Sequence, residues 1–105
     1  MSGTISVEIP IPRILEVCVK DEQLTLNLED GRVLSVPLIW YPRLCYGTEE
    51  ERRNFQISGA GFGIHWPDLD EDIGVEGLLL GRQSTESAKS LAQWLERRKS
   101  RPVSV

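Results

Sequence analysis

Apolar and polar residues alternate through the first third of the chain, in three runs that each predict a β-strand. The runs cover Ile14–Lys20, Leu24–Leu28 and Leu34–Leu38. Their inward positions are predicted to be Leu15, Val17, Val19, Leu24, Leu26, Leu28, Leu34, Val36 and Leu38. Asp21-Glu22-Gln23 and Asp30-Gly31 separate the runs, and Asp-Gly favours a tight hairpin turn with positive φ. The pattern therefore predicts an antiparallel meander of three strands with one buried face.

The middle of the chain leaves this alternation and predicts short helices. Pro42 lies in an aromatic stretch with helical spacing, and proline is favoured in the first turn of a helix. Thr48 is followed three residues later by Glu51, the pattern of a capping box. We therefore expect one short helix around Pro42 and a second from Thr48 to about Asn54.

The second half predicts a hairpin followed by two more helices. Phe55–Ile57 and Phe62–Trp66 favour strands joined by a glycine-rich turn. Asp72 is expected to cap a short helix that runs through Leu80. Ser84 or Thr85 is expected to start the last helix, which carries an apolar stripe at Ala88, Leu91, Ala92 and Leu95. The predicted fold class is α+β, with a small antiparallel sheet (the meander plus the later hairpin) packed by short helices and a C-terminal helix.

The predicted organisation is one domain between two terminal segments. A chain of 105 residues suits a single domain, placed here at residues 14–99. Residues 1–13 are predicted to form an N-terminal arm, because Pro10 and Pro12 prevent a helix, and residues 100–105 a tail. The alternation from Ile5 to Ile11 would allow the arm to add a strand to a partner's sheet.

Composition and charge narrow the classes of function. The formal net charge of −4 disfavours nucleic-acid binding by the whole surface and favours a basic protein partner. The longest apolar run is far below the roughly 20 residues of a membrane span. Cys18 and Cys45 are far apart and are expected to be reduced, and the start of the chain does not resemble a signal peptide. We expect a cytoplasmic protein without a cofactor and without membrane association, and its oligomeric state stays open.

Several ordered motifs give the chain a family resemblance. They are Asp30-Gly31, Pro37-Leu38-x-Trp40-Tyr41-Pro42-Arg43-Leu44, Thr48-x-Glu50-x-Arg52-x-Asn54, Gly63-Ile64-His65-Trp66-Pro67-Asp68-Leu69-Asp70-Glu71-Asp72-Ile73, Val75-Glu76-Gly77-Leu78-Leu79 and Gly81-Arg82. This set resembles the bacterial family called domain of unknown function 2442, over about residues 14 to 95. The resemblance implies a small α+β fold and no settled enzymatic activity. Some members of the family look like the antitoxin-side partners of two-gene toxin–antitoxin arrangements.

The acidic segment Asp68–Glu76 is the first candidate site. Its carboxylates would steer association with a basic surface of a partner protein. Most of the large aromatic rings are expected to be core. Trp40 and Tyr41 lie where a strand gives way to irregular chain, so they are the better candidates for exposed rings that, with Arg43, anchor the partner. The predicted partner-binding residues are Trp40, Tyr41, Arg43, Asp68, Asp70, Glu71 and Asp72. The predicted function is an antitoxin-like protein-interaction domain, and not an enzyme.

A metal-dependent or acid–base enzyme is the first alternative. Asp68, Asp70 and Asp72 stand at every second position, close to His65, and hard cations accept carboxylate oxygens. The competing explanation is a solvated turn in which Asp72 caps a helix. The chain shows no glycine-flanked serine nucleophile and no convincing Cys–His pair.

A DNA-contacting regulator is the second alternative. Arg97, Arg98 and Lys99 form a basic cluster near the end of the last helix. Basic residues in this position also complement the helix dipole, which is the simpler explanation. We therefore do not expect this chain to bind nucleic acid on its own.

Overall fold

The computed structural model describes residues 10–99, and residues 1–9 of the predicted arm and the tail at 100–105 lie outside the described residues. Six strands occur there: Ile14–Lys20 (β1), Gln23–Leu28 (β2), Val33–Pro37 (β3), Gln56–Ser58 (β4), Gly63–Trp66 (β5) and Glu71–Gly74 (β6). Four α-helices accompany them: Pro42–Tyr46 (α1), Glu49–Arg53 (α2), Val75–Leu79 (α3) and Ala88–Lys99 (α4). Single 3-10 turns occupy Leu38–Trp40 and Gly59–Gly61. The fold class is α+β, as predicted.

Strands β1, β2 and β3 form the predicted antiparallel meander, with β2 in the centre. Val17 pairs with Leu26, and Leu26 pairs with Leu34, so apolar side chains share one face across all three strands. The register shifts between Ile14 and Glu16. This bulge leaves Leu15 exposed at 62%, and Ile14 is buried instead.

The tight primed turn of the meander is found at its first corner and not at Asp30-Gly31. Asp21 and Glu22 both have positive φ, at 53° and 62°, and form the two-residue connection between Lys20 and Gln23. At the second corner Leu28 donates to the carbonyl of Arg32, and Gly31 has a φ of 92°. That corner is a three-residue loop with glycine in the left-handed position.

The later hairpin has a third strand, β6, so the structure contains a second three-stranded antiparallel sheet. Ile73 pairs with Ile64, and Asp72 pairs with His65. The expectation that Asp72 caps a helix is therefore wrong, because Asp72 lies inside a strand. Helix α3 starts three residues later, after Gly74, and has no side-chain cap.

Both helix starts in the middle of the chain follow the prediction. Pro42 occupies the first turn of α1, and Thr48 and Glu51 form a complete capping box at α2. Helix α4, however, begins at Ala88 and not at Ser84 or Thr85. The hydroxyl of Ser87 accepts a hydrogen bond from the amide of Ser90 at 3.1 Å, which makes Ser87 the capping residue.

The core lies between the two sheets and the helices that cover them. Its fully buried side chains come from both sheets, from the 3-10 turn after β3, from α1, from α3 and from the turn before β6, and they include Leu24, Leu26, Leu38, Leu44, Ile64, Trp66, Leu69 and Val75. Helix α4 adds Trp94 to this cluster. Among residues 10–99, no helix has the length and apolar composition that crossing a bilayer requires.

Candidate functional site

An open cleft of about 440 Å³ lies between strand β6 and the irregular segment that leads to α4. Its lining residues are Tyr41, Arg43, Asp70, Glu71, Asp72, Ile73, Gly77, Arg82, Gln83, Ser84, Thr85, Glu86 and Ser90. Most of them are polar, and four are carboxylates. The cleft is therefore suited to a polar or charged ligand.

One wall of the cleft is the acidic run at the start of β6. Asp70 has a φ of 50°, a left-handed conformation that aspartate tolerates better than most residues, and it turns the chain into the strand. The side chains of Asp70 and Asp72 are 83% and 73% exposed. Both carboxylates are accordingly accessible from solvent.

Glu71, between them, is half-buried. Its carboxylate accepts a hydrogen bond from the amide of Asp72 at 3.1 Å. Burial raises the pKa of Glu71, and the neighbouring charges of Glu86 and Asp72 act in the same direction, against the opposing effects of the Asp72 amide and the Arg43 charge. The cleft thus contains a carboxylate with reduced solvation, whose negative charge is only partly balanced by the Asp72 amide and the Arg43 charge.

The opposite side of the cleft is held by a bidentate ion pair between α1 and the segment before α4. The guanidinium of Arg43 donates to the two carboxylate oxygens of Glu86 at 2.8 and 2.5 Å. Both side chains are nearly buried, and the hydrogen bonds between them raise the pKa of Arg43 and lower that of Glu86. Arg43 also donates to the Asp70 carbonyl at 3.2 Å, so it ties this segment to the acidic wall.

Two further bonds fix the segment against the first half of the chain. The hydroxyl of Tyr41 donates to the carbonyl of Arg82 at 2.7 Å, and the amide of Ser84 donates to the carbonyl of Trp40 at 2.9 Å. Burial raises the pKa of Tyr41, which is 6% exposed. Tyr41 is therefore a core residue, and the expectation that its ring is exposed is wrong, whereas its role in binding a partner stays a prediction.

The structure brings together five of the seven predicted partner-binding residues in this cleft: Tyr41, Arg43, Asp70, Glu71 and Asp72. The other two lie elsewhere. Trp40 is half-buried against the core, and Asp68 accepts a hydrogen bond from the Asn54 side chain at 2.9 Å. Sequence reasoning missed the segment from Arg82 to Glu86, whose polar composition reads as an ordinary linker and carries no local signal of a binding wall.

Among the residues of the metal alternative, His65 and Asp72 contact each other, and Asp68 and Asp70 have other partners. His65 Nδ1 lies 2.8 Å from Asp72 Oδ1, Asp68 bonds to Asn54, and Asp70 lies beside Arg43. Within residues 10–99 the structure forms no group of three or more His, Cys, Asp or Glu side chains that could hold a metal ion.

The basic residues of the DNA alternative differ in their surroundings. Arg98 donates to the Glu51 carboxylate at 2.6 and 2.9 Å and is 21% exposed, whereas Lys99 lies 3.8 Å from Glu96 at the surface. The charge of Arg98 is compensated within the protein. The cluster therefore offers a weaker phosphate-binding surface than the sequence indicates.

Comparisons with known proteins place this architecture among uncharacterised relatives. The chain matches the family described as "Protein of unknown function (DUF2442)" over residues 14–84. A crystal structure of a protein of unknown function from Rhodospirillum rubrum is similar, with a TM-score of 0.62 and 26% identity over 71% of this chain and 93% of that one. A solution structure of an uncharacterised protein from Chromobacterium violaceum has a TM-score of 0.60 and 28% identity, over 77% and 74% of the two chains. No curated protein matches the chain significantly.

Proposed function

The chain belongs to the DUF2442 family of proteins of unknown function, and from that premise we propose that it is a cytoplasmic protein-interaction domain that binds a basic partner protein through the acidic wall of the cleft. In this proposal Glu71 receives a lysine or arginine side chain of the partner, and Asp70 and Asp72 attract the partner's basic surface. The finer form of the proposal is an antitoxin-like role, in which occupying the partner's basic surface blocks its activity.

The observation that carries the proposal is the position of Glu71, a half-buried carboxylate in the acidic wall of the cleft. Its ionised form is disfavoured by burial, and Arg43 acts on it as a neighbouring charge while pairing directly with Glu86. A cation delivered by a partner would stabilise the ionised carboxylate in a site of reduced solvation, where a charge pair is stronger than at an open surface. Binding at a pH near the pKa of Glu71 would then release a proton.

The exposed carboxylates on either side serve a different purpose. Asp70 and Asp72 keep most of their solvation, so each contributes little affinity but adds to the field that a basic partner meets as it approaches. The proposal therefore assigns attraction over distance to Asp70 and Asp72, and pairing after contact to Glu71.

The test compares the wild type with two variants that lose the same number of charges. The cleft variant is Asp70→Asn, Glu71→Gln, Asp72→Asn. The control variant, Glu49→Gln, Glu50→Gln, Glu96→Gln, removes three exposed carboxylates from α2 and α4. All three proteins are used as bait in the native lysate, and the captured proteins are identified by mass spectrometry at low and moderate salt.

The expected result is one basic protein that the wild type and the control capture and the cleft variant loses. Association kinetics with the purified partner should then be slower for the cleft variant and less dependent on salt. Equal capture by the cleft variant and the control would refute the role of the acidic wall. A captured partner whose own activity is unchanged in the complex would refute the antitoxin-like form alone.

A further inference from the structure

Helix α4 packs against the rest of the protein through one narrow face. Trp94 is its buried residue, and Leu91 and Leu95 are partly buried against the core. Its other side chains lie mostly in solvent. A helix of 12 residues is marginal in water by itself, so these few contacts decide whether it stays helical and docked.

Trp94 is held by two guanidinium groups. The Cζ of Arg43 lies 5.1 Å from the centre of the indole ring, and the Cζ of Arg98 lies 4.7 Å from it. Arg98 follows Trp94 by one helical turn and forms its bidentate pair with Glu51 of α2. The surface beneath α4 therefore has three features: a recess for an aromatic ring, a guanidinium that faces the ring, and a carboxylate one helical turn further along.

The contact between α4 and the rest of the protein has one side inside the family match and one side outside it. Arg43 and Glu51, on the receiving side, lie within the family match at residues 14–84, whereas the whole of α4 lies beyond it. In this chain, the part that matches the family thus carries a receiving surface that is complementary to an aromatic–arginine helix. In this chain an adjoining helix fills that surface.

We propose that the surface beneath α4, defined by Arg43, Glu51 and the recess of Trp94, is a docking site for a partner helix that presents an aromatic residue and an arginine four positions later. Helix α4 occupies the site in cis and limits access to it. A partner helix binds by displacing α4, and its apparent affinity is reduced by the fraction of molecules in which α4 is docked. The site adjoins the cleft but does not depend on the acidic wall.

The test uses a fluorescent peptide with the sequence of residues 84–99 as the probe and the full-length protein as the receptor. The receptor is the wild type, Trp94→Ala, or Arg98→Ala, each checked for folding by circular dichroism. The peptide should bind the Trp94→Ala receptor roughly tenfold or more tightly than the wild type, because the recess is vacated. The Arg98→Ala receptor should fall between them and provides the comparison if Trp94→Ala does not fold.

Two controls separate this site from the cleft, since the peptide carries an excess of basic residues. A peptide with Trp94 replaced by alanine keeps the charge and should not bind. Adding Glu51→Gln to the receptor should weaken binding, whereas adding Glu71→Gln should leave it unchanged. The proposal is overturned if the vacated receptors bind the peptide no better than the wild type up to about millimolar concentration, or if binding survives loss of the indole.

Discussion

Replacing Glu51 with glutamine removes one negative charge from the point where α2 and α4 meet. The Glu51 side chain is 15% exposed and accepts two hydrogen bonds from Arg98 and one, at 2.9 Å, from the amide of Thr48. These contacts, the bond to Arg98 above all, lower the pKa of Glu51 from 4.5 to about 2. Glutamine keeps the length of the side chain and can still complete the capping box, so the variant isolates the charge.

The pKa difference sets the size of the effect. A fall from 4.5 to about 2 corresponds to about 3 kcal/mol. Because glutamine retains some hydrogen bonds, we expect Glu51→Gln to lower the free energy of unfolding by about 2–3 kcal/mol at pH 7. The folded-state pKa is the lower one, so the stabilisation is complete above pH 4.5 and is lost as the pH falls toward 2. At pH 3 about 2 kcal/mol of it is already gone.

Urea unfolding followed by circular dichroism at pH 7, 4.5 and 3 measures this difference. The gap in unfolding free energy between the wild type and Glu51→Gln should shrink to less than about 1 kcal/mol at pH 3. Glu50→Gln, an exposed substitution in the same helix, should change stability by no more than about 0.5 kcal/mol at any of these pH values. A gap of the same size at pH 3 and pH 7 would refute the argument, since the loss would then come from packing and not from the ionised pair.

Three further substitutions and one control variant test other parts of the structure by the same denaturation assay. Glu22→Gly should raise the unfolding free energy by about 0.5–1 kcal/mol, because Glu22 is held at a φ of 62° where glycine meets no steric penalty, and a loss of stability would contradict this. Gly47→Ala should lower it by about 1–3 kcal/mol, since the added Cβ would lie 2.9 Å from both methyl groups of Leu69. Gly77→Ala is the matched control and should not lower the unfolding free energy, because its added Cβ would have an ordinary 3.9 Å contact and alanine favours a helix. Glu71→Gln should stabilise the protein at pH 7, because the raised folded-state pKa of Glu71 makes its ionisation costly, and the advantage should disappear at acidic pH where both side chains are neutral. A variant less stable than the wild type at pH 7 would show that Glu71 is satisfied in the folded state.

Local chemistry explains the parts of the fold that were predictable. The three meander strands follow from an alternation of period two, and the start of α2 follows from two side chains three residues apart. Each signal involves residues close in sequence, so its physical cause is present before the chain folds. Even here the turn at Asp30-Gly31 is not the tight two-residue turn that the sequence predicts, because the register of β2 and β3 places three residues in the loop.

The sequence by itself determined the α+β class, the meander, the capping box and the acidic run. Tertiary structure alone decided that Asp72 pairs with His65 in a strand, and that Arg43 meets Glu86 across 43 positions of sequence. Aspartate is a favoured helix-capping residue, but the pairing of Ile73 with Ile64 buries both apolar side chains. The free energy gained by that burial exceeds the free energy that a single helix cap would contribute. The cleft arises from contacts of this long-range kind. No local pattern specifies such contacts, because their free energy exists only after the two segments have been brought together by the core.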